Sequence, residues 1–451
     1  MSKAKYQNVT GMPDTLPKDR KIFEMVENAC FKLASYYDYE RIDTPVIEYS
    51  ELFEKGTGVT SDIVEKQMYS FKSLGGDPLT LRPEFTPSIV RSFIQHGMAS
   101  WSQPVKLSTY GSVFRHERPQ SGRLREFRQF EIDAIGELEP ALDAQVIFVF
   151  YKIFQSLGIK DLRIEINSIG CLKCKPTYRR VLREYYNGRE RSVCKDCRQR
   201  IKTNLLRVLD CKDEKCERLK AGAPEIVDYL CQECHSHLKD VLEILDFLEV
   251  PYALSSHLVR GLDYYTKTVF EIFSVLSEPG GAKKSQNEER NKDGGALRSD
   301  GLEERATAIA GGGRFDELVK LFGGEEAPAI GGAIGVDRTV AVIKKLGLKL
   351  TKERVPHVFF VHLGDLAKKR GLKVMEEFRS SGILVRESFG KSSIKAQMEL
   401  ADKIGVEYAL ILGHQEVAED TIIIRDMKSG SQEVVPMGKV IKEIKKRLRK
   451  V

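Results

Sequence analysis

Residues 111–136 read GSVFRHERPQSGRLREFRQFEIDAIG, with Arg115, Arg118, Arg123, Arg125 and Arg128 packed into fourteen positions. Apolar, strand-like runs flank them. The stretch closes on Glu131 and Asp133, which alternate with Phe130 and Ile132. This is the pattern of a buried hairpin, and it constrains the fold because a buried, unpaired charge costs several kcal/mol. The arginines must meet anions. Either they pair internally with Glu117, Glu126, Glu131 and Asp133, or they face a polyanionic ligand. Arginine matches phosphate oxygens bidentately and keeps its proton, which suits the second reading.

Alternate residues of a strand share a face. Gln129, Glu131 and Asp133 therefore share one face, and Phe130, Ile132 and Ala134 the other. In LRPEFT, Arg82, Glu84 and Thr86 likewise fall together. These faces offer a carboxylate, a hydroxyl and an amide for an ammonium group, and a separate carboxylate for a cationic or N–H-bearing ring. Thr86 has a second reading, because Thr86-Pro87 before SIVRSFIQHG also looks like a helix N-cap followed by Pro at the first helical position. LVRGLDYY adds Arg260 beside Gly261, then Tyr264 and Tyr265. An ammonium pocket beside a phosphate-binding arginine set suggests an amino acid meeting ATP.

At 451 residues, 41% hydrophobic and 30% charged, the chain is expected to split into two or three domains. A net charge of +7 is a mild bias towards anionic partners such as nucleotides or RNA. No apolar run approaches the roughly 20 residues of a membrane span, and MSKAKYQNVTGMPD lacks the apolar core of a signal peptide. A cytoplasmic protein without a membrane partner is expected.

Apolar spacing predicts helices over 18–37 and 142–157, and LRIEIN reads as a strand. The texture changes at Gly170: eight of the nine cysteines fall between 171 and 234, so an inserted small domain is expected over 171–245. It divides a core of 1–170 and 246–345, within which polar, mixed-charge 277–305 reads as a disordered loop. A basic linker, 346–356, leads to 357–451, where strands and helices alternate as in a small α/β domain. The last helix, KVIKEIKKRLRK, places Ile441, Ile444 and Leu448 on one face; its basic residues are either a solvated surface or an RNA-facing one.

Cys171-x2-Cys174 and Cys194-x2-Cys197, nineteen residues apart, match the spacing of a structural zinc site. Cys211-x4-Cys216 and Cys231-x2-Cys234 form a looser second set, with His235 and His237 as substitutes. The sets can also pair across each other. The competing reading is reduced cysteines in a small core.

The motifs carry a resemblance. GSVFRHERPQ resembles motif 2 of class II aminoacyl-tRNA synthetases, with Arg115 as its arginine. AIGGAIGVDRT resembles motif 3, with Arg338, and RIDTPVIEYSELF resembles motif 1, with Pro45 at a dimer interface. LVRGLDYYTKTVFE and AGGGRFDEL are more specific, resembling the two signature motifs of the histidyl-tRNA synthetase family. The likeness covers nearly the whole chain. It implies an α+β fold: an antiparallel-sheet catalytic domain of the class II synthetase type with a small Cys-rich insertion, plus a C-terminal α/β anticodon-binding domain.

The resemblance also implies roles at matching positions. Glu84, Thr86 and Gln129 hold the histidine α-amino group. Asp133, Tyr264 and Tyr265 line the imidazole pocket. Arg115 binds the α-phosphate and the substrate carboxylate. Arg260 works from the other side and stands in for a metal ion there. Glu117 meets adenine, while Arg123 and Arg338 hold the outer phosphates, with Mg²⁺ on them. The loop RPQSGR approaches the tRNA acceptor end.

The chain departs from many bacterial members at Phe85, where Gly is common, and at Phe315, where Tyr is. Asp133 is shorter than the usual Glu, which leaves two readings, direct contact with the ring or a bridging water. A site that pairs both ring nitrogens rejects analogues lacking them by about 10⁴-fold without editing. The expected function is a homodimeric histidine–tRNA ligase whose partners are ATP, L-histidine and histidine tRNA, with structural Zn²⁺ in the insertion. The alternative is a non-catalytic paralogue acting as a histidine-sensing regulatory subunit.

Overall fold

The computed structural model describes residues 6–58, 61, 63–117, 124–275, 306–348, 356–388, 390 and 393–448. Arg118, Arg123, the 277–305 stretch and most of the linker fall outside them. The chain divides into two compact units, Met1–Lys349 and Leu350–Val451.

In the first unit the helix Pro17–Tyr36 begins, as its Pro suits, in the first turn, and buries Ile22, Phe23, Val26, Cys30 and Ala34. Eleven strands follow among the described residues: β1 Glu40–Arg41, β2 Ile47–Tyr49, β3 Tyr69–Lys72, β4 Pro78–Leu81, β5 Val105–Phe114, β6 Glu126–Ile135, β7 Leu162–Ser168, β8 Ala253–Leu254, β9 Thr266–Val275, β10 Ala306–Arg314 and β11 Ala329–Gly335. Eight form one sheet in the order β1-β5-β6-β11-β10-β9-β7-β8, and β2-β4-β3 form a small second sheet. All contacts among β5, β6, β11, β10, β9 and β7 are antiparallel. The arginine hairpin is β5–β6, in register from Val105 opposite Ile135 to Phe114 opposite Glu126.

The helix Pro140–Ser156 is apolar nearly all round and is accordingly sunk into the core, burying Val146, Ile147, Val149, Phe150, Ile153 and Phe154. Phe150 meets Phe270 of β9 with ring centroids 6.0 Å apart. Asp143, on the same helix and fully buried, pairs with Arg314 at the end of β10 and with His237 Nε2 at 3.0 Å.

The cysteine-rich segment is helical: Cys174–Tyr186, Lys195–Thr203, Glu214–Lys220 and Gln232–Phe247. Its apolar residues Tyr178, Leu182, Tyr186 and Ile201 belong to the same core cluster as Phe85, Ile89, Tyr264 and Phe315 of the main body. Its last helix runs to Phe247, and His237 on it anchors to Asp143.

In the second unit, β12 Val358–His362, β13 Val385–Glu387, β14 Tyr408–Leu412, β15 Thr421–Asp426 and β16 Gln432–Pro436 form a sheet in the order β13-β12-β14-β15-β16. The first three are parallel and the last two antiparallel. Helices Asp365–Ser380, Ile394–Ile404 and Val440–Leu448 alternate with these strands. His414–Ala418 is a further short helix; five residues are too few to show a period. Ile444 of the last helix is buried and Ile441 and Leu448 pack beside it, while Arg447 pairs with Glu433 and Glu443.

Candidate active site

A cavity of about 240 Å³ opens over the middle of the large sheet. Its lining includes Arg115 and Glu117 from the end of β5, Gln129 of β6, Arg260, Glu271 of β9, and Arg338. Each arginine is held at a defined place. Arg115 Nε donates to the Pro83 carbonyl at 2.9 Å, and its guanidinium lies 5.4 Å from the Phe127 ring centroid. Arg338, in the first turn of the helix Val336–Lys345, donates from Nη1 to the Ala308 carbonyl at 3.1 Å. Arg260 lies over the Tyr265 ring at 5.7 Å, with Nη1 3.7 Å from Glu271 Oε1.

The glycine-rich strands leave room for these groups. Gly311 of β10 stands opposite Glu271, and a Cβ there would lie 2.6 Å from Arg260 Nη1. Gly331 of β11 stands opposite Asp133, and a Cβ there would lie 1.9 Å from Asp133 Oδ1 and 2.7 Å from the Ile132 carbonyl.

Glu84, Thr86, Asp133, Tyr264 and Tyr265 do not line that cavity. They form a buried polar cluster that also includes Glu131. Tyr264 donates its hydroxyl to Glu84 Oε2 at 2.7 Å, and Thr86 donates to Glu131 Oε1 at 2.7 Å. Thr86 therefore makes no N-cap: the N-cap position of Thr86–Gln95 is Phe85, and no side chain caps it. The Tyr264 ring lies 4.7 Å from Tyr265 and 5.9 Å from Phe315. Among the described residues, no amide, hydroxyl or cationic donor reaches Glu84 Oε1 or either oxygen of Asp133, whose carboxyl lies beside that of Glu131, and Gln129 Oε1 is likewise without a partner.

Three buried carboxyls so close together cannot all ionise. Burial pushes Glu84 up to about 7, although Tyr264 and the charges of Arg115 and Arg260 pull against it. Burial pushes Asp133 up to about 8, and Glu131 stands well above the carboxylate range because of burial and Asp133. Near neutral pH the pair keeps a proton. A cationic ligand would relieve this strain by pairing with the charged forms.

Of the remaining described arginines of the hairpin, Arg125 serves the scaffold, while Arg128 both lines the cavity and is held by its neighbours. Arg125 donates to the carbonyls of Glu117 and Thr10 at 3.2 and 3.4 Å. Arg128 lies 4.6 Å from the Phe23 ring centroid and pairs with Asp337 at 3.8 Å, and its backbone N–H donates to Asp337 Oδ2 at 2.6 Å. No ion pair joins Arg115, Arg125 or Arg128 to Glu131 or Asp133 among the described residues. Sequence reasoning missed Glu131 as Thr86's partner, though its place on the Gln129 face marked it. It also missed Glu271, which stands in the signature stretch that holds Arg260.

The cysteines group differently from the order in which the pairs occur. Cys171 and Cys174 meet Cys231 and Cys234, while Cys194 and Cys197 meet Cys211 and Cys216. The expected pairing of 171/174 with 194/197 is thus corrected, and the alternative, in which the two sets pair across each other, is the one found: the helix Cys174–Tyr186 carries the chain away, and the segment closes at its two ends. His237 bonds Asp143 and is exchanged for no cysteine; His235 is exposed.

Known proteins resemble this chain along nearly its whole length. Residues 11–281 match the family model described as Histidyl-tRNA synthetase, and residues 357–447 match that of an anticodon binding domain. A histidine–tRNA ligase of Dehalococcoides mccartyi is 39% identical over 443 residues, covering 98% of this chain and 100% of that protein. One from Caldicellulosiruptor saccharolyticus is 39% identical over 444 residues, with 98% and 100% covered. The solved structure of apo histidyl-tRNA synthetase from S. aureus superposes with a TM-score of 0.77 at 30% identity, covering 97% of this chain and 99% of that one.

Proposed function

Since the chain belongs to the histidyl-tRNA synthetase family, we propose that the buried carboxyl cluster takes histidine and the arginine-lined cavity takes ATP. The chain's activity is that of a histidine–tRNA ligase: histidine and ATP give histidyl-adenylate and pyrophosphate, and histidine then passes to tRNA. The regulatory-subunit reading is not favoured, because relatives matched end to end are named as ligases.

The observation that carries the site assignment is the contrast in charge. Glu84 and Asp133 sit buried and short of donors beside Glu131, and the charges of Arg115 and Arg260, which line the cavity with Arg338, reach Glu84. An amino acid is cationic at one end and anionic at the other, and fits across that step. Its ammonium group supplies the donors missing at Glu84 and Gln129, and the Thr86 hydroxyl, while donating to Glu131, can still accept from it. Its ring reaches Asp133 beside Tyr264 and Tyr265. Its carboxylate is left facing the arginines.

No side chain need act as a nucleophile. The histidine carboxylate oxygen attacks the α-phosphorus, the bond to the bridging oxygen breaks, and pyrophosphate leaves. Arg115 and Arg260 flank the reacting oxygens, stabilising the charge that develops there. Glu117 meets the adenine, and Arg338, with Arg123, holds the outer phosphates; magnesium arrives with ATP as part of the substrate. The 3′-terminal ribose hydroxyl of tRNA then attacks the adenylate carbonyl and AMP leaves. The second unit takes the anticodon end of the tRNA.

A homodimer is part of this proposal. Val46, Ile47, Tyr49 and Phe71 of the small sheet and its edge are exposed, next to Pro45. ATP-dependent charging of histidine tRNA by the wild type and by Arg260→Ala tests the assignment. Loss of roughly 10²–10³-fold in kcat is expected, the scale for removing one such charge-stabilising group. An undiminished rate would remove Arg260 from the reaction.

A further inference from the structure

The two cysteine clusters have geometry that reduced core cysteines do not require. Within each, all four Sγ atoms lie within 4.8 Å of one another, and none is joined in a disulfide. Cys171 Sγ is 3.7 Å from Cys174 Sγ and 3.9 Å from Cys231 Sγ; Cys194 Sγ is 3.8 Å from Cys211 Sγ. Four sulfurs about 2.3 Å from a tetrahedral zinc lie about 3.8 Å from each other, whereas a disulfide closes to about 2.05 Å. Backbone N–H groups aim at these sulfurs, as thiolate ligands need. Cys231 N donates to Cys174 Sγ at 3.1 Å, Cys194 N to Cys216 Sγ at 3.3 Å, and Lys173 N to Cys171 Sγ at 3.4 Å.

Both clusters border the loop that carries Arg260 and Tyr264. Lys175, next to Cys174, is buried and donates to the Tyr265 carbonyl. Gly170, next to Cys171, accepts from Lys267 N at 3.0 Å, and Glu233, next to Cys234, pairs with Lys267 Nζ at 3.0 Å. Between Cys197 and Cys211, Asn204 donates to Asp263 Oδ1 and Arg207 to the Gly261 carbonyl, both at 2.8 Å. Gly261 and Asp263 are the residues immediately after Arg260 and before Tyr264.

We propose that each cluster binds one zinc ion, and that the two ions fix the Arg260–Tyr265 loop for histidine activation. The first ion, at Cys171, Cys174, Cys231 and Cys234, bolts the insertion's two ends together under β9. The second, at Cys194, Cys197, Cys211 and Cys216, holds the lobe whose Asn204 and Arg207 grip the loop. Both ions are remote from the reacting atoms and act by position. The positioning half rests on the ligase reading above; the metal half does not.

Metal analysis of the full-length protein purified without chelator reads the first half. Two zinc ions per chain are expected, falling to one in Cys211→Ser. Fewer than two in the wild type, or iron in their place, would overturn it. Histidine-dependent ATP–pyrophosphate exchange by Arg207→Ala reads the second half. With both zinc ions and the wild-type melting temperature retained, kcat is expected to fall about tenfold, the KM for ATP to hold, and Arg207→Lys to recover most of the rate. Wild-type kinetics in Arg207→Ala would overturn the positioning role. A wild-type enzyme with two zinc ions but no exchange at all would sink the ligase reading and the positioning role together, leaving the metal sites standing.

Discussion

On the proposed assignment, histidine displaces protons that burial keeps on Glu84 and Asp133. With folded values of about 7 and about 8 against ordinary values of 4.5 and 3.8, the free protein binds more protons than the unfolded chain between those limits. The stability these two carboxyls contribute is therefore fully present at low pH and lost as pH rises through 7 and 8. Histidine reverses the sign, because its ammonium favours the ionised carboxylates. The KM for histidine should rise as pH drops from 8 to 6 through the values cited. Glu84→Gln should raise that KM roughly 10–100-fold, the worth of a hydrogen bond to a charged group, while stabilising the free protein to urea at pH 8. A destabilised variant with unchanged KM would contradict the assignment. At this scale the sequence was only half legible. Alternation put Gln129, Glu131 and Asp133 on one face, but whether Thr86 caps a helix or bonds Glu131 depends on a partner 45 residues away in the chain.

Elements show why the glycines stand where they do. AGGGR and AIGG could be read as turns, yet they are strand interiors of β10 and β11. Glycine ordinarily weakens a strand; here neighbouring strands send side chains across it. Gly331→Ala should cost about 1–3 kcal/mol in urea unfolding and raise the KM for histidine, since neither Asp133 nor the Ile132 carbonyl can give way. The Arg314–Asp143–His237 group ties β10, the helix Pro140–Ser156 and the insertion's last helix. Burial would raise the Asp143 carboxyl, but Arg314 and His237 outweigh it and hold it below the usual range. Its stabilisation is thus present at neutral pH and lost on acidification. Asp143→Ala should cost about 3 kcal/mol in urea unfolding, because the buried Arg314 stays charged and is left with Asp316 and the Glu137 carbonyl. Long amphipathic helices and alternating strands were readable from period alone. The cysteine pairing was not, since spacing along a chain does not say which ends meet.

For the whole molecule, the two units divide the work. The first contains the carboxyl cluster and the arginine cavity; the second is a mixed sheet matching an anticodon binding domain. A chain ending at residue 349 should retain histidine-dependent exchange while losing most of its charging of tRNA, as acylation assays would show. No helix among the described residues is long and apolar enough to cross a membrane. The central claim, that this protein joins one amino acid to ATP in a pocket built for its ammonium and its ring, is tested most directly by ATP–pyrophosphate exchange with each of the twenty amino acids in turn. Exchange with histidine alone is the predicted result. Exchange with another amino acid, or with none in a folded protein that binds histidine, would contradict it.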